Sequence, residues 1–420
     1  MQKKIVILMI INLLLFSIVG ISYGETGDQS ITYNEAVNRA LEASDAIEDL
    51  SDSMEDVWEQ RNDLLGVKQT IQEQLDQINR FEKLYEKKYE DGESLTPAET
   101  QELQGYQMFL GDEPPSFTNQ EMLDQFIKQR DFPHEQLLVT YNQLKNQRTL
   151  LPDQLEAGVR ELYINLVNLR STLEGQEIYT SNLENQYTAA EKKFELGQIS
   201  AQELLSAKNS YLIQKLSTEQ LDRSATILSL SLKDMMGLSL ETPIKLTSNM
   251  AAFNTIDLKA IEYYEALALE NRAEILDAKN VYEMEKREAS IIQEYLTNPL
   301  TTDRLTYDSD VIDAKNAYEA AILDVKEDIT KGYFATEEAL EDYEIKLDEY
   351  KRSVNDLKDK REMFNLGMID RNTFDMVEFS FKMSKDALLS SRRTLELNYY
   401  KLEKASHLGP AFESSTGGAR

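Results

Sequence analysis

The sequence predicts an all-α protein made of two tandem repeats of long, antiparallel, coiled-coil-like helices. Three observations carry that prediction. Glycine and proline are sparse, at 16 and 8 residues in 420, while charged residues make up 29%. That is the composition of long solvated helices, not of a β-rich domain. Apolar residues recur every three or four positions over stretches much longer than an ordinary globular helix. One short turn signature also occurs twice, as Phe194-Glu-Leu-Gly-Gln-Ile-Ser200 and Phe364-Asn-Leu-Gly-Met-Ile-Asp370.

The N-terminus reads as an export signal. Lys3 and Lys4 precede an apolar run from Ile5 to Ile21, and Ser22-Tyr23-Gly24 supplies small residues for cleavage after Gly24. The alternative is an uncleaved anchor, because the run approaches the roughly 17 to 25 residues that span a bilayer. The formal net charge is −30, and removing the two lysines with the signal (residues 1–24) leaves −32. Such a charge argues against nucleic acid and against adsorption to anionic lipid. With zero cysteines there is no disulfide framework and no lipid-attachment thiol. Two histidines, His134 and His407, leave metal chemistry poorly supplied.

The first repeat is assigned to residues 25–250. Thr32 and Glu35 are spaced as a capping box, which predicts a helix from Tyr33 towards Tyr89. Asp91-Gly92 and Pro97 end it. Residues 91–152 hold Pro97, Pro114, Pro115, Pro133 and Pro152 and read as an irregular insert of short helices and loops. From Asp153 no proline intervenes before Leu240. Val159, Leu162, Leu166, Leu169 and Leu173, then Leu183, Tyr187, Ala190 and Phe194, form a coiled-coil-like seam. Leu221, Ala225, Leu228 and Leu232 continue it on the returning helix, which stops at Gly237. Pro243 to Asn254 reads as a linker.

The second repeat, residues 251–409, follows the same plan. Ala268-Leu-Glu-Asn-Arg-Ala-Glu-Ile275 echoes Ala40 to Ile47, and its helix is expected to reach Tyr295. A short connection runs from Thr297 to Asp308. Helix resumes from Ser309 to about Leu366, with Gly332 as a possible break, and Tyr343, Leu347, Tyr350, Val354, Leu357 and Phe364 keep heptad spacing. Phe374, Val377, Phe381, Leu388, Leu395 and Leu402 line the returning helix. Gly409-Pro410 ends it, and residues 410–420 read as a disordered tail. An offset of 170 pairs Phe194 with Phe364, Gly197 with Gly367 and Ile199 with Ile369.

Each doubled signature is a hairpin tip. Gly197 or Gly367 can close a helix in the left-handed conformation, and Ser200 or Asp370 can cap the next one. Glu203 completes a capping box in the first copy. Ile199 with Leu204, and Ile369 with Phe374, are spaced as hydrophobic staples.

These features resemble the TolC-type outer-membrane efflux proteins. The match rests on Glu35-Ala-Val-x-x-Ala-Leu-Glu42, on Ala268 to Ile275, on the two Leu-Gly-x-Ile-Ser/Asp tips, and on the Leu-x-x-x-x-Gly ending from Leu232 to Gly237. It covers roughly 31–250 and 256–409 without the 91–152 insert. The resemblance implies a homo-oligomer, trimeric in that family, whose long helices surround a lumen. It also implies that Gly197, Gln198, Ile199, Ser200, Gly367, Met368, Ile369 and Asp370 contact a membrane-fusion adaptor protein. The capping chemistry explains the same residues without any partner.

The sequence departs from the family at the membrane. Family members carry β-strands between the first two helices of each repeat. A transmembrane strand needs about 9–11 residues with alternating apolar positions. The connection from Thr297 to Asp308 is too short for two such strands, and Thr301-Thr-Asp-Arg-Leu-Thr-Tyr307 has no apolar face. The first-repeat insert does not alternate. The β-barrel is therefore expected to be absent.

The resulting expectation is an exported component of an efflux or export system in the cell envelope, serving as helical conduit or adaptor-docking element. The alternative is a secreted or cell-surface structural coiled-coil protein without a pore. No enzyme is expected. There is no phosphate-binding loop, His-Glu-x-x-His or cysteine nucleophile, and among 75 acidic residues paired carboxylates arise by chance. No catalytic residue, cofactor or metal site is assigned.

Overall fold

Local capping chemistry sets where the helices begin. The computed structural model describes residues 29–247 and 256–412. The signal predicted at 1–24 lies outside them, as do residues 413–420 of the tail. A three-residue strand, β1 (Gln29–Ile31), precedes α1 (Tyr33–Glu42), which opens on the predicted Thr32/Glu35 capping box. Next come α2 (Ala46–Tyr85), a π-helical turn over Glu86–Glu90, α3 (Pro97–Leu110) and α4 (Asn119–Met122). A second π-helical stretch, Leu123–Ile127, leads directly into α5 (Lys128–Glu195). The first tip joins α5 to α6 (Ala201–Met235), and β2 (Ile244–Leu246) follows. The second repeat consists of α7 (Ile261–Asn271), α8 (Ala273–Tyr295), α9 (Thr302–Asn365) and α10 (Arg371–Ala405). Helices α6 and α10 are each 35 residues long and start 170 residues apart, matching the repeat offset.

The structure corrects five boundaries, the simplest at α9, which starts at Thr302 and so makes most of the expected Thr297–Asp308 connection helical. The helix expected from Tyr33 to Tyr89 breaks after Glu42. There α1 buries Ala36, Val37 and Ala40 in a cluster with Val159, Tyr163, Leu166 and Leu232, and Ala43 sits against Gly237. Its counterpart breaks at Arg272, whose extended backbone (ψ 132°) places a buried guanidinium 2.8 Å from Glu274. The insert is far more helical than its prolines suggest, because α5 starts at Lys128 and passes through Pro133 and Pro152. Phe132 and Leu151, beside those prolines, are buried at 5% and 7% exposure, so packing outweighs the lost backbone bonds. Finally, α9 continues through Gly332. A Cβ there would lie 2.8 Å from Cδ2 of Phe412, and the Phe412 amide donates to Asp328 at 2.9 Å. The glycine seats the chain end instead of breaking the helix.

The stretch read as a linker from Pro243 begins as β2, which pairs parallel with β1, Gln29 opposite Ile244 and Ile31 opposite Leu246. These two strands form the one sheet among the described residues. At three residues each they are far below the length a transmembrane strand needs. The barrel is absent from the described residues.

The chain divides into two compact units that each draw on both repeats. In the first (residues 1–46, 150–270 and 326–420), helices pack antiparallel in the order α6, α5, α10, α9. Thr180 and Thr218 hydroxyls meet at 2.8 Å between α5 and α6. Lys401 donates to Glu161 at 2.6 Å and Arg393 to Asn168 at 2.9 Å between α10 and α5. Asn398 donates to the Ala335 carbonyl at 3.0 Å, and Phe364 stacks on Phe374 at 4.8 Å, between α10 and α9. At the junction with α1, Arg160 lies between the rings of Tyr33 and Tyr400, 4.7 and 4.0 Å from their centroids.

The second unit (residues 47–149 and 271–325) repeats this plan in the order α2, α5, α8, α9. Arg148 donates to Ser51 at 2.7 Å, Asn146 to Asp277 at 2.7 Å, and Tyr282 stacks on Tyr318 at 6.2 Å. Its core gathers Ile71, Leu75, Leu123, Ile127, Phe132, Ile292 and Leu296. Helix α3 packs Leu103 on Phe81 and Leu84.

Candidate functional site

Both hairpin tips adopt the conformation their residues dictate. At the first, the Gly197 amide donates to Phe194 at 2.9 Å and the Gln198 amide to Lys193 at 2.8 Å. At the second, Gly367 donates to Phe364 at 2.9 Å and Met368 to Met363 at 2.8 Å. These two bonds define a Schellman closure, and it requires the left-handed glycines observed, with φ of 69° and 70°. No atom lies within 4 Å of a Cβ built on either glycine, so backbone conformation alone selects glycine here.

The next helix starts at once. Ser200 accepts the Glu203 amide at 3.3 Å, while the Glu203 carboxylate accepts the Ser200 amide at 2.7 Å. Asp370 accepts the Thr373 amide at 2.7 Å. The Ser200 amide holds the Glu203 carboxyl below the usual carboxylate range, and the Thr373 amide does the same for Asp370. Arg371 pairs with Asp375 at 2.7 Å, and its guanidinium lies 5.8 Å from the Phe364 ring.

The two tips share one end of the first unit. The C-terminal part of α5 runs antiparallel to the N-terminal part of α10, with Tyr179 stacked on Phe379 at 5.8 Å and Asn182 Nδ2 3.8 Å from Met376 Sδ. Of the eight residues singled out in the sequence, Gly197, Gln198, Ser200, Gly367, Met368 and Asp370 are exposed. Ile199 and Ile369 are half-buried, as staple residues should be, and Phe374 beside the second is buried. The sequence reading passed over Leu196 and Leu366, which are 71% and 74% exposed. Their signal was present, since a leucine precedes the glycine in both copies, but a leucine there reads as helix interior. Each tip therefore offers a bare apolar side chain on a rigid backbone turn. That arrangement suits contact with another protein surface.

No family model matches the sequence, and no curated protein matches it. Among solved structures, a membrane protein from Pseudomonas aeruginosa is similar at 11% identity and a TM-score of 0.57, over 95% of this chain and 100% of that one. The CmeC outer membrane channel of Campylobacter jejuni is similar at 12% identity and 0.56, over 94% and 92%. The outer membrane protein VceC of Vibrio cholerae is similar at 11% identity and 0.50, over 90% and 96%. Identities this low speak to fold alone. No helix among the described residues is long and apolar enough to cross a membrane. With its doubled glycine tips and a pair of long antiparallel helices in each repeat, the chain has the fold of the helical part of the TolC-type outer-membrane channels.

Proposed function

We propose that this chain is the helical section of an export conduit in the cell envelope. It works as a homo-oligomer, trimeric by resemblance, with its tips docking a membrane-fusion adaptor. The observation that carries the reading is an open helix layer. In the first unit the outer helices α6 and α9 both leave large apolar residues uncovered, among them Ile213 at 71%, Ile227 at 64%, Phe334 at 56% and Ile345 at 57% exposure. A closed monomeric bundle would bury such residues, whereas a ring of copies covers them and leaves polar faces towards a lumen. Light scattering on the chain lacking residues 1–24 tests this, and a strict monomer would sink it. For the tips, Leu196→Asp with Leu366→Asp should abolish capture of the membrane-fusion adaptor of the same export system while leaving helix content unchanged.

The short strands favour a second reading, a secreted or cell-surface structural element without a pore. Fractionation separates the two. Recovery with export complexes supports the conduit, and release into the medium as a monomer supports the structural element.

A further inference from the structure

We propose that the groove between α2 and α5 in the second unit binds a free aromatic amino acid. Ser51, Met54, Glu55 and Trp58 on α2, with Tyr141 and Arg148 on α5, line a surface groove of about 260 Å³. Sites for drug-sized ligands run from roughly 300 to 1,000 Å³, so this one suits a smaller molecule. Its apolar part is an aromatic pair. Trp58, the single tryptophan of the chain, lies 5.3 Å from the Tyr141 ring at 46° and is 43% exposed. A tryptophan left half open beside a tyrosine is a stacking surface that helix packing has not used up. All six residues belong to one unit of one chain, so the site does not rest on the conduit reading.

The polar groups decide the ligand class. The Ser51 hydroxyl donates to the Ile47 carbonyl at 2.8 Å and accepts Arg148 Nε at 2.7 Å, which holds the guanidinium in place. The two Nη groups of Arg148 have no partner among the described residues, and neither has the Glu55 carboxylate. These opposite charges border one groove without pairing with each other. A carboxylate suits the free guanidinium edge, which it can engage through both oxygens. An ammonium suits Glu55. A simple organic cation fits poorly, because the Arg61 guanidinium already stands 5.2 Å from the Trp58 ring centroid and Arg148 borders the same groove. A simple aromatic acid would meet the Glu55 charge. A molecule carrying both charges satisfies both residues. Ser51 and Trp58 stand seven residues apart on α2, roughly 10 Å along the axis, with Glu55 between them. A ring on Trp58, an ammonium by Glu55 and a carboxylate at Arg148 reproduce that order within one amino acid and the reach of two long side chains.

Because Trp58 is the only tryptophan, its fluorescence reports on the groove directly. L-phenylalanine added to the chain lacking residues 1–24 should shift that emission to the blue in a saturable way, half complete on the order of a few millimolar. Phenylalanine amide lacks the carboxylate and N-acetylphenylalanine lacks the ammonium, so each should bind about three- to fivefold more weakly. Arg148→Gln should abolish only the advantage of phenylalanine over its amide. Glu55→Gln should abolish only its advantage over N-acetylphenylalanine. Circular dichroism checks that both variants keep their helices, and the derivative series is read on the unaltered chain in any case. No saturable shift with phenylalanine well above that concentration overturns the proposal, and so does equally tight binding of the two derivatives.

Discussion

The Tyr163 hydroxyl donates to the carbonyl of Ile31 at 2.9 Å, across 132 residues of sequence, and lies equally close to the Thr247 carbonyl. The Tyr163 side chain is fully buried, and burial pushes its hydroxyl above the usual phenol range. This contact fastens the β1–β2 pair to the middle of α5. Tyr163→Phe removes the one hydroxyl hydrogen shared by these two carbonyls, of which Ile31 keeps only the Thr247 amide at 3.2 Å, so it should cost about 1 kcal/mol. A lowered thermal midpoint with unchanged helix content would confirm it.

The tips should be sensitive to backbone conformation alone. At φ of 69° and 70°, Gly197→Ala and Gly367→Ala should each cost about 1–2 kcal/mol, since a Cβ is strained there even in open space. Asparagine should cost less than alanine at either position. Ser200→Ala, which removes the cap and half of its box, should cost about 1 kcal/mol. Chemical denaturation of the series would show the order.

Asp277 is the group whose ionisation most clearly opposes folding at neutral pH. Desolvation pushes its carboxyl from the ordinary value up to about 6, against the lowering effect of Asn146, which donates to it at 2.7 Å. Between roughly pH 4 and 6 the folded chain holds a proton that the unfolded chain has lost. Stability contributed here is therefore present below about pH 4 and lost as pH rises through about 6. Asp277→Asn should stabilise the chain at pH 7, on the order of 1 kcal/mol after allowing for solvent screening. The gain should vanish near pH 4, as thermal melts at the two pH values would show.

Gly332 and Phe412 should be energetically coupled. Gly332→Ala favours the α9 helix by up to about 1 kcal/mol but occupies the seat of the Phe412 ring. The expected result is faster proteolysis of the chain after Ala405. Phe412→Ala should destabilise the wild-type chain yet add nothing in the Gly332→Ala background. A double-mutant cycle measures that difference.

The sequence by itself determined whatever depends on neighbours within about six residues. The Schellman glycines, the Ser200 and Asp370 caps, the Thr32/Glu35 box, the 170-residue offset and the lack of strands long enough for a membrane barrel were all legible. Each rests on local hydrogen bonding or on side-chain period. So was most of the candidate site, apart from Leu196 and Leu366, whose exposure follows from where the neighbouring helices end. Tertiary structure decided the rest. It broke the helices at Ala43 and Arg272, carried α5 through Pro133 and Pro152, paired β1 with β2 and seated Phe412 on Gly332. It also set the order α6, α5, α10, α9 and so left Ile213 and Ile345 bare. These outcomes turn on burial and on contacts between residues widely separated in the chain. Local propensity carries no record of which distant side chain will fill a gap.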